Sequence, residues 1–324
     1  MNGVPPVAAD DPEPMPNGVA PMRPQTWAER LNGSWGRALV IGVPMLFLLV
    51  FFLAPFSLVF KISISEIDNT VFKDLLSFTD GSIHLQAKVD NYAVAVTDDI
   101  YFHAYVSSLK FAAITTLICL FLAYPFAYFL ARSRPEIRPA LLMLVMLPFW
   151  TSFLLRVYAW KMLLADSGVF NNIALSLGLI AEPVKMMNTP FSLVLGMVYT
   201  YLPFMILPLY ANLVKMDLRL LEAAMDLGAT PWQAFWRITV PLSQSGVVAG
   251  SMLVFIPCIG EYVIPELLGG PQTYLIGKAL WDEFFSNNDW PMAATVAVVM
   301  ILLIIVPLAW FNKQQADAST RAGT

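Results

Sequence analysis

Charged residues are scarce in this sequence of 324 residues: Asp, Glu, Lys and Arg together make up 13%, whereas hydrophobic residues make up 58%. Soluble domains carry about 25% charged residues. The mean hydropathy of +0.65 points the same way, so an ordinary soluble domain is excluded. The net charge of -4 does not indicate a nucleic-acid partner, because the excess acid is spread over loops rather than gathered in a tail.

Cysteine and histidine, which supply many nucleophiles and metal ligands, number two each. Cys119 and Cys258 both lie inside apolar runs and are interpreted as small apolar fillers. His84 and His103 have no companions at ligand spacing. The phosphate-binding pattern GxxxxGK[ST] is also missing from the sequence. We therefore predict no catalytic site, no metal and no cofactor, and we expect that any ATP is handled by another chain.

Six long apolar runs dominate what is present. About 20 helical residues cross a hydrocarbon core of roughly 30 Å, and each run reaches that length, whereas barrel strands would be about half as long and would alternate. The predicted fold class is therefore all-α, a polytopic membrane protein with six transmembrane helices. The runs cover approximately residues 38–60, 104–131, 139–164, 191–213, 245–268 and 292–311.

Basic residues near the ends of these runs predict the orientation, since Lys and Arg flanking a span tend to stay in the cytoplasm. They concentrate on one side, which places both termini in the cytoplasm. We expect a disordered cytoplasmic segment at 1–34, a six-helix transmembrane domain at 35–313 and a cytoplasmic tail at 314–324. The loop 61–103 on the opposite side is expected to form a small folded cap. The basic residues are Arg23, Arg30, Arg37, Arg132, Arg134, Arg138, Lys215, Arg219, Arg237, Lys313 and Arg321.

The loop between the fourth and fifth runs, 215–242, predicts two short helices joined by a glycine turn. Asp217 can cap the first helix and Gly228 can end it. Thr230, followed by Pro231 and then Gln233, is a start signal for the second helix. Taken alone, this pattern also fits an amphipathic hairpin lying on the membrane surface.

The same loop resembles the EAA motif of ABC importer permeases: EAA, three residues, Gly, nine residues, then Ile-x-Leu-Pro, with Val240 at the Leu position. The matching residues are Glu222, Ala223, Ala224, Gly228, Ile238 and Pro241. The resemblance implies a type I importer permease fold in a bacterial inner membrane. It implies that the loop is the coupling helix that docks on an ATPase. It also implies four partners: a second homologous permease, two cytoplasmic ATPase subunits and an extracytoplasmic solute-binding protein.

Three further runs are similar to those of polyamine permeases, in particular the first permease subunits of putrescine importers. They are LPFWTSFLLRVYAW at 147–160, GEYVIPELLGGP at 260–271 and NDWPMA at 288–293. This narrower resemblance implies a polyamine substrate, with putrescine expected. Permeases for other small organic solutes share parts of these runs and remain an alternative.

Ionisable groups inside apolar spans suggest where a substrate would pass. An unpaired charge at mid-membrane costs about 2.5 to 3.5 kcal/mol on insertion scales, so Arg156 and Glu261 either form an intramembrane ion pair or serve another role. In the second interpretation, Glu261 and Glu266 bind the ends of a diammonium, and aromatic faces bind its cationic heads. The aromatic candidates are Trp150, Tyr158, Tyr199, Tyr201 and Tyr262.

A secondary transporter is the alternative from another functional class. Such transporters ordinarily contain an internal repeat and need no docking hairpin on the cytoplasmic side. We detect no convincing repeat in this sequence, which favours the ATP-driven importer.

Overall fold

A computed structural model describes residues 34–68, 71–72, 76–79, 82–85 and 89–322 of the chain. The predicted disordered segment 1–34 lies outside these residues except for Ser34. The chain divides into two compact units at Leu58, and each is described by itself.

The first predicted span is helical. Helix α1 covers Ser34–Leu48, one π-helical turn covers Leu49–Leu53, and α2 covers Ala54–Ser63, so that α2 continues past the boundary between the units. The stretch Ala38–Ser63 is long and apolar enough to cross a membrane.

Two small antiparallel hairpins follow in the loop where a folded cap is expected. Strand β1 (Ile67–Asp68) pairs with β2 (Val71–Phe72), and β3 (Leu76–Thr79) pairs with β4 (Ser82–Leu85). Helix α3, Asp90–Thr97, ends this loop. The hydroxyls of Ser63 and Tyr92 lie 2.6 Å apart, and the Thr295 hydroxyl donates to the Ser63 carbonyl at 3.1 Å. Ser63, Tyr92 and Thr295 all belong to the second unit, where these contacts connect the end of α2 with α3 and with the last helix.

Three helices form the centre of the second unit: α4 (Asp99–Arg132), α8 (Pro190–Leu213) and α12 (Gln244–Ile259). Small residues allow them to approach closely, as is usual where lipid removes the hydrophobic drive for association. A Cβ on Gly250 would lie 2.8 Å from the Met205 sulfur, and Ala112, Ala123 and Ala127 of α4 are fully buried.

The third predicted span, 139–164, is broken rather than continuous. Helix α5 covers Arg138–Met146 and runs into a 3-10 turn at Leu147–Trp150; α6 then covers Phe153–Leu164, and α7 covers Val169–Ser176. The two halves meet at 84°. Pro148 has no N–H to donate, and Thr151 and Ser152 adopt extended backbone, so the helix cannot continue through them.

The fifth predicted span, 245–268, ends early, at Ile259. Gly260–Tyr262 interrupts the helix, and α13 resumes at Val263–Leu268. Upstream lie α9 (Arg219–Asp226), α10 (Pro231–Ala234), a π-helical turn at Phe235–Thr239 and α11 (Val240–Leu242). The segment Pro231–Leu242 meets α12 at 62°.

The remaining elements are a 3-10 turn at Pro271–Thr273, α14 (Ile276–Trp281), a π-helical turn at Asp282–Ser286 and α15 (Trp290–Ala322). Within the described part of the chain, four helices are long and apolar enough to cross a membrane, and the two bent pairs raise the number to six if each is one span. The predicted all-α membrane class is confirmed, with the strands restricted to the loop hairpins.

Candidate functional site

The hairpin between α8 and α12 has the local structure that its sequence predicts. The Asp217 carboxylate accepts a hydrogen bond from the Arg219 N–H at 3.0 Å. Gly228 has φ +86, and the Gly228 and Ala229 N–H groups donate to carbonyls of the last turn of α9, which is a Schellman ending. Thr230 and Gln233 form a reciprocal capping box. Local signals alone therefore define this turn.

Apolar side chains cover the outside of this hairpin. The fractional exposure is 89% for Leu227 and 69% for Trp232, and Leu218, Met225 and Trp236 are also exposed. Glu222 projects beside them and is exposed as well. Exposed apolar patches rimmed by polar residues commonly mark interaction sites, and this surface is available to another protein.

The hairpin is tied to the bundle through Phe235. Its ring meets Tyr124 and Tyr128 of α4 edge-on, with centroids 5.6 and 5.8 Å away. The Arg132 guanidinium lies 5.2 Å from the Tyr128 ring centroid, and the Tyr124 hydroxyl lies 2.8 Å from that of Ser243, at the 62° bend. Movement of the hairpin would therefore reach both α4 and α12. Of the remaining motif residues, Ile238 is half-buried and Pro241 is exposed.

Glu261 lies in the break between α12 and α13. One carboxylate oxygen accepts hydrogen bonds from the N–H groups of Val263 and Ile264, at 3.0 and 3.3 Å. The other accepts from the hydroxyl of Tyr201, which is buried in α8. Glu261 thus caps α13 while its carboxylate keeps only neutral partners among the described residues.

An aromatic stack begins at Tyr262, the residue that follows Glu261. The Tyr262 and Trp281 rings are 4.1 Å apart at an interplanar angle of 12°, and Phe285 lies 4.0 Å beyond Trp281. Helix α14 approaches the break closely, because a Cβ on Gly277 would lie 2.5 Å from the Gly260 carbonyl oxygen and 2.7 Å from that of Glu261. We call Tyr201, Glu261, Tyr262, Gly277 and Trp281 the Glu261 group.

The alternative of an ion pair between Arg156 and Glu261 is not realised, although the structure describes both residues. The Arg156 guanidinium lies 5.4 Å from the Phe149 ring centroid and 6.0 Å from that of Phe153. Its Nε is buried without a hydrogen-bond partner. The sequence predicted one continuous helix over this span. Because the helix is broken, Arg156 lies beside these rings and does not meet Glu261.

Other predicted pathway residues lie outside the Glu261 group. Glu266 forms an ion pair with Lys278 in a separate cleft. Trp150 is 77% exposed and Tyr158 is 49% exposed. Tyr199 contacts Trp160 edge-on at 5.4 Å.

Two carboxylates that sequence reasoning left unassigned lie just beyond Trp281. The Tyr274 hydroxyl donates to Asp282 at 3.0 Å, and the Tyr101 hydroxyl donates to Glu283 at 2.6 Å. Burial, and then the negative charge of Asp282, raises the pKa of the Tyr274 hydroxyl, so it remains a donor. The partners are distant in sequence, and the clearest local signal was the run WDEFF at 281–285.

Residues 123–314 match the family described as "Binding-protein-dependent transport system inner membrane component". The chain therefore belongs to this family, the permease subunits of ABC importers. The match includes the exposed hairpin, the bent fifth span and the Glu261 group.

Within this family, the chain is similar to permeases that are named for polyamine transport. The "Spermidine/putrescine transport system permease protein PotB" of Salmonella typhimurium (strain SL1344) is 43% identical over 240 residues, which cover 71% of this chain and 83% of that protein. The protein of the same name in Haemophilus influenzae is 40% identical, covering 67% of this chain and 77% of the relative. The resemblance to polyamine permeases is confirmed, and the name of these relatives covers spermidine as well as putrescine.

Solved structures agree on the fold. A bacterial ABC transporter for import of the acidic polysaccharide alginate superposes with a TM-score of 0.63 at 18% identity, covering 90% of this chain and 98% of that one. The alginate transporter in complex with its pentasaccharide-bound periplasmic protein gives 0.64 at 17% identity, covering 89% and 96%. The type I permease fold is thereby confirmed.

Proposed function

We propose that this chain is the polyamine-conducting permease of an ATP-driven importer, with putrescine as the expected substrate. The observation that carries this proposal is the 40 to 43% identity, over two thirds of the chain, to permeases named for spermidine and putrescine. A polyamine is a flexible alkyl chain with two or more ammonium groups, so its path needs carboxylates and aromatic faces.

The Glu261 group supplies both chemistries at one helix break. The carboxylate is held in place by Tyr201 and by two N–H groups, and no described cation neutralises it. A passing ammonium would pair with Glu261 while the Tyr262 and Trp281 rings contact the alkyl chain or the second ammonium. We place the centre of the pathway here. Glu266, Trp150 and Tyr158 have no direct substrate contact at this centre in our proposal.

The hairpin is the proposed coupling element. Its exposed Glu222 and apolar surface would dock on a cytoplasmic ATPase subunit, and Phe235 would transmit the motion to α4 and α12. The mechanism is alternating access. ATP binding closes the ATPases, the coupling helices follow, and the bundle opens toward the extracytoplasmic binding protein. A second homologous permease and a second ATPase complete the assembly.

Both termini are cytoplasmic in this proposal, with residues 1–34 and 314–324 on that side. Asp166 and Leu227 are exposed on loops that it assigns to opposite sides, and the two native cysteines are buried. An impermeant thiol reagent should label Asp166→Cys only from outside and Leu227→Cys only from inside. Labelling of both from one side would contradict the orientation.

The function is tested by uptake in cells of the source organism from which this chain has been deleted and then restored. Restoration should recover uptake of radiolabelled putrescine at low micromolar concentration, and depletion of ATP should abolish it. Competition by spermidine, but not by an unrelated amino acid, should define the class. Recovery that depends on the proton gradient and survives ATP depletion would indicate a secondary transporter, and no polyamine uptake would indicate another solute.

A further inference from the structure

A groove of about 600 Å³ runs along the outside of the bundle between α4 and α8, away from the Glu261 group. The α4 wall is formed at helical spacing by Phe111, Ile114, Ile118 and Leu122. The α8 wall includes Val194 and Val198, and the lining is otherwise mostly apolar. The side chains of Ile118 and Leu122 are exposed along this wall.

Polar residues line only one end of this groove. Two hydrogen bonds show that this end lies toward the N-terminal part of α4. The Ile276 N–H donates to the Ser108 hydroxyl at 2.8 Å, which brings the segment containing Gln272 to the start of α4. Ser107 and Lys110 line the same end. Farther along, the Cys119 thiol lies 3.8 Å from the Val198 carbonyl, and the lining there is apolar.

Lys110 carries the charge at the polar end. Its ammonium lies 5.9 Å from the Phe111 ring centroid, and in the part of the chain that the structure describes no carboxylate forms an ion pair with it. A lysine inside a spanning helix extends its charge toward the headgroup level. From Lys110 to Leu122 the helix rises about 18 Å at 1.5 Å per residue, close to the roughly 15 Å of hydrocarbon in one leaflet.

We propose that this groove binds an anionic phospholipid, with the phosphate at Lys110, Ser107 and Gln272 and one acyl chain along the apolar walls. The polarity of the groove matches that of a phospholipid, because a cation and two hydrogen-bonding side chains lie at one end and hydrocarbon-lined space extends from there over one leaflet depth. The positive charge selects an anionic headgroup over a zwitterionic one. This site is independent of the substrate and of the coupling hairpin.

Photo-crosslinking tests the site directly. The full chain is placed in nanodiscs that contain phosphatidylglycerol or phosphatidylcholine, each with a photoreactive acyl chain, and the labelled peptides are mapped by mass spectrometry. The phosphatidylglycerol probe should label peptides containing Ile114–Leu122 or Val194–Val198 about fivefold more than the phosphatidylcholine probe, as expected for one lysine near an anionic surface.

Variants separate a charge-selective site from a passive gap. Lys110→Gln should remove the preference, and Lys110→Arg should keep it. Lys161→Gln changes an exposed lysine on α6 that does not line this groove and should also keep the preference. Equal labelling by the two probes in the wild type, or an unchanged ratio in Lys110→Gln, would overturn the proposal. Absence of any label in the groove would show that no acyl chain enters it and would also overturn the proposal.

Discussion

The hairpin between α8 and α12 and the Glu261 group both lie where a helix is interrupted, but they are specified in opposite ways. The hairpin obtains its shape from contacts between residues no more than five positions apart: the Asp217 cap, the turn at Gly228 and the Thr230–Gln233 box. The Glu261 group is assembled from Tyr201, 60 residues away, and from the segment Gly277–Trp281. An exposed surface of the kind proposed to dock on a partner can be built locally, whereas a site inside the bundle requires several helices to meet.

The largest predicted effect on stability comes from substituting alanine for Gly277, and the same change at Gly228 of the hairpin provides the comparison. A Cβ on Gly277 would lie 2.5 and 2.7 Å from two backbone carbonyl oxygens. Unlike the end of a flexible side chain, these atoms cannot move aside easily. Gly277→Ala should therefore destabilise the chain by up to about 3 kcal/mol, the upper range for overpacking. Gly228→Ala meets nothing within 4 Å and should cost only about 1 kcal/mol for its positive φ. Thermal unfolding in detergent measures both, and equal losses would contradict the distinction.

Glu222→Lys should have the next largest effect, on transport alone. The Glu222 side chain is exposed, so the chain should insert normally while reversal of a charge at the proposed docking surface lowers uptake at least about tenfold. Uptake per molecule of membrane-inserted chain is the measurement. Glu136→Lys is the matched control, an exposed glutamate in the loop between α4 and α5, and it should transport normally.

Sequence reasoning was accurate where structure is local. The capping residues, the turn glycine and the six apolar runs could all be predicted, because caps and hydrophobic length act over a few residues. The breaks at Thr151–Ser152 and at Gly260–Tyr262 were missed, since the spans were predicted from the overall length of each apolar run, and two or three residues within a run did not mark an interruption. Trp281 was not among the predicted pathway residues, because its partner Tyr262 becomes a neighbour only after α14 folds back on the break.

Tyr201→Phe should have a moderate effect, and it sharpens the account of the Glu261 group. The change removes one buried hydroxyl that holds the carboxylate while the ring remains packed. Hydrogen bonds between membrane helices contribute about 0.6 kcal/mol on average, with a maximum near 1.7, so stability should fall by roughly 1 kcal/mol or less. Putrescine uptake should fall several-fold because Glu261 is less well positioned. Tyr199→Phe, at a partly exposed ring outside the group, provides the control.

Glu266→Gln should have the smallest effect. Its partner is Lys278, and the Glu266 side chain is 46% exposed, so the ion pair contributes about 0 to 1 kcal/mol. Unfolding and uptake should both stay near wild type. A loss of uptake as large as that of Glu261→Gln would move the pathway toward the Lys278 cleft and contradict the separation between the two carboxylates.

The central claim is that the hairpin couples ATP to movement while Glu261 acts on the substrate, and one paired measurement tests it most directly. In proteoliposomes of the assembled transporter, polyamine uptake and ATP hydrolysis stimulated by the loaded binding protein are measured together. Glu222→Lys should lower both in parallel. Glu261→Gln should lower uptake about tenfold, as expected for losing a hydrogen-bonded charge, and leave stimulated hydrolysis near wild type. Normal uptake by Glu261→Gln, or an equal loss of uptake and hydrolysis, would contradict the account.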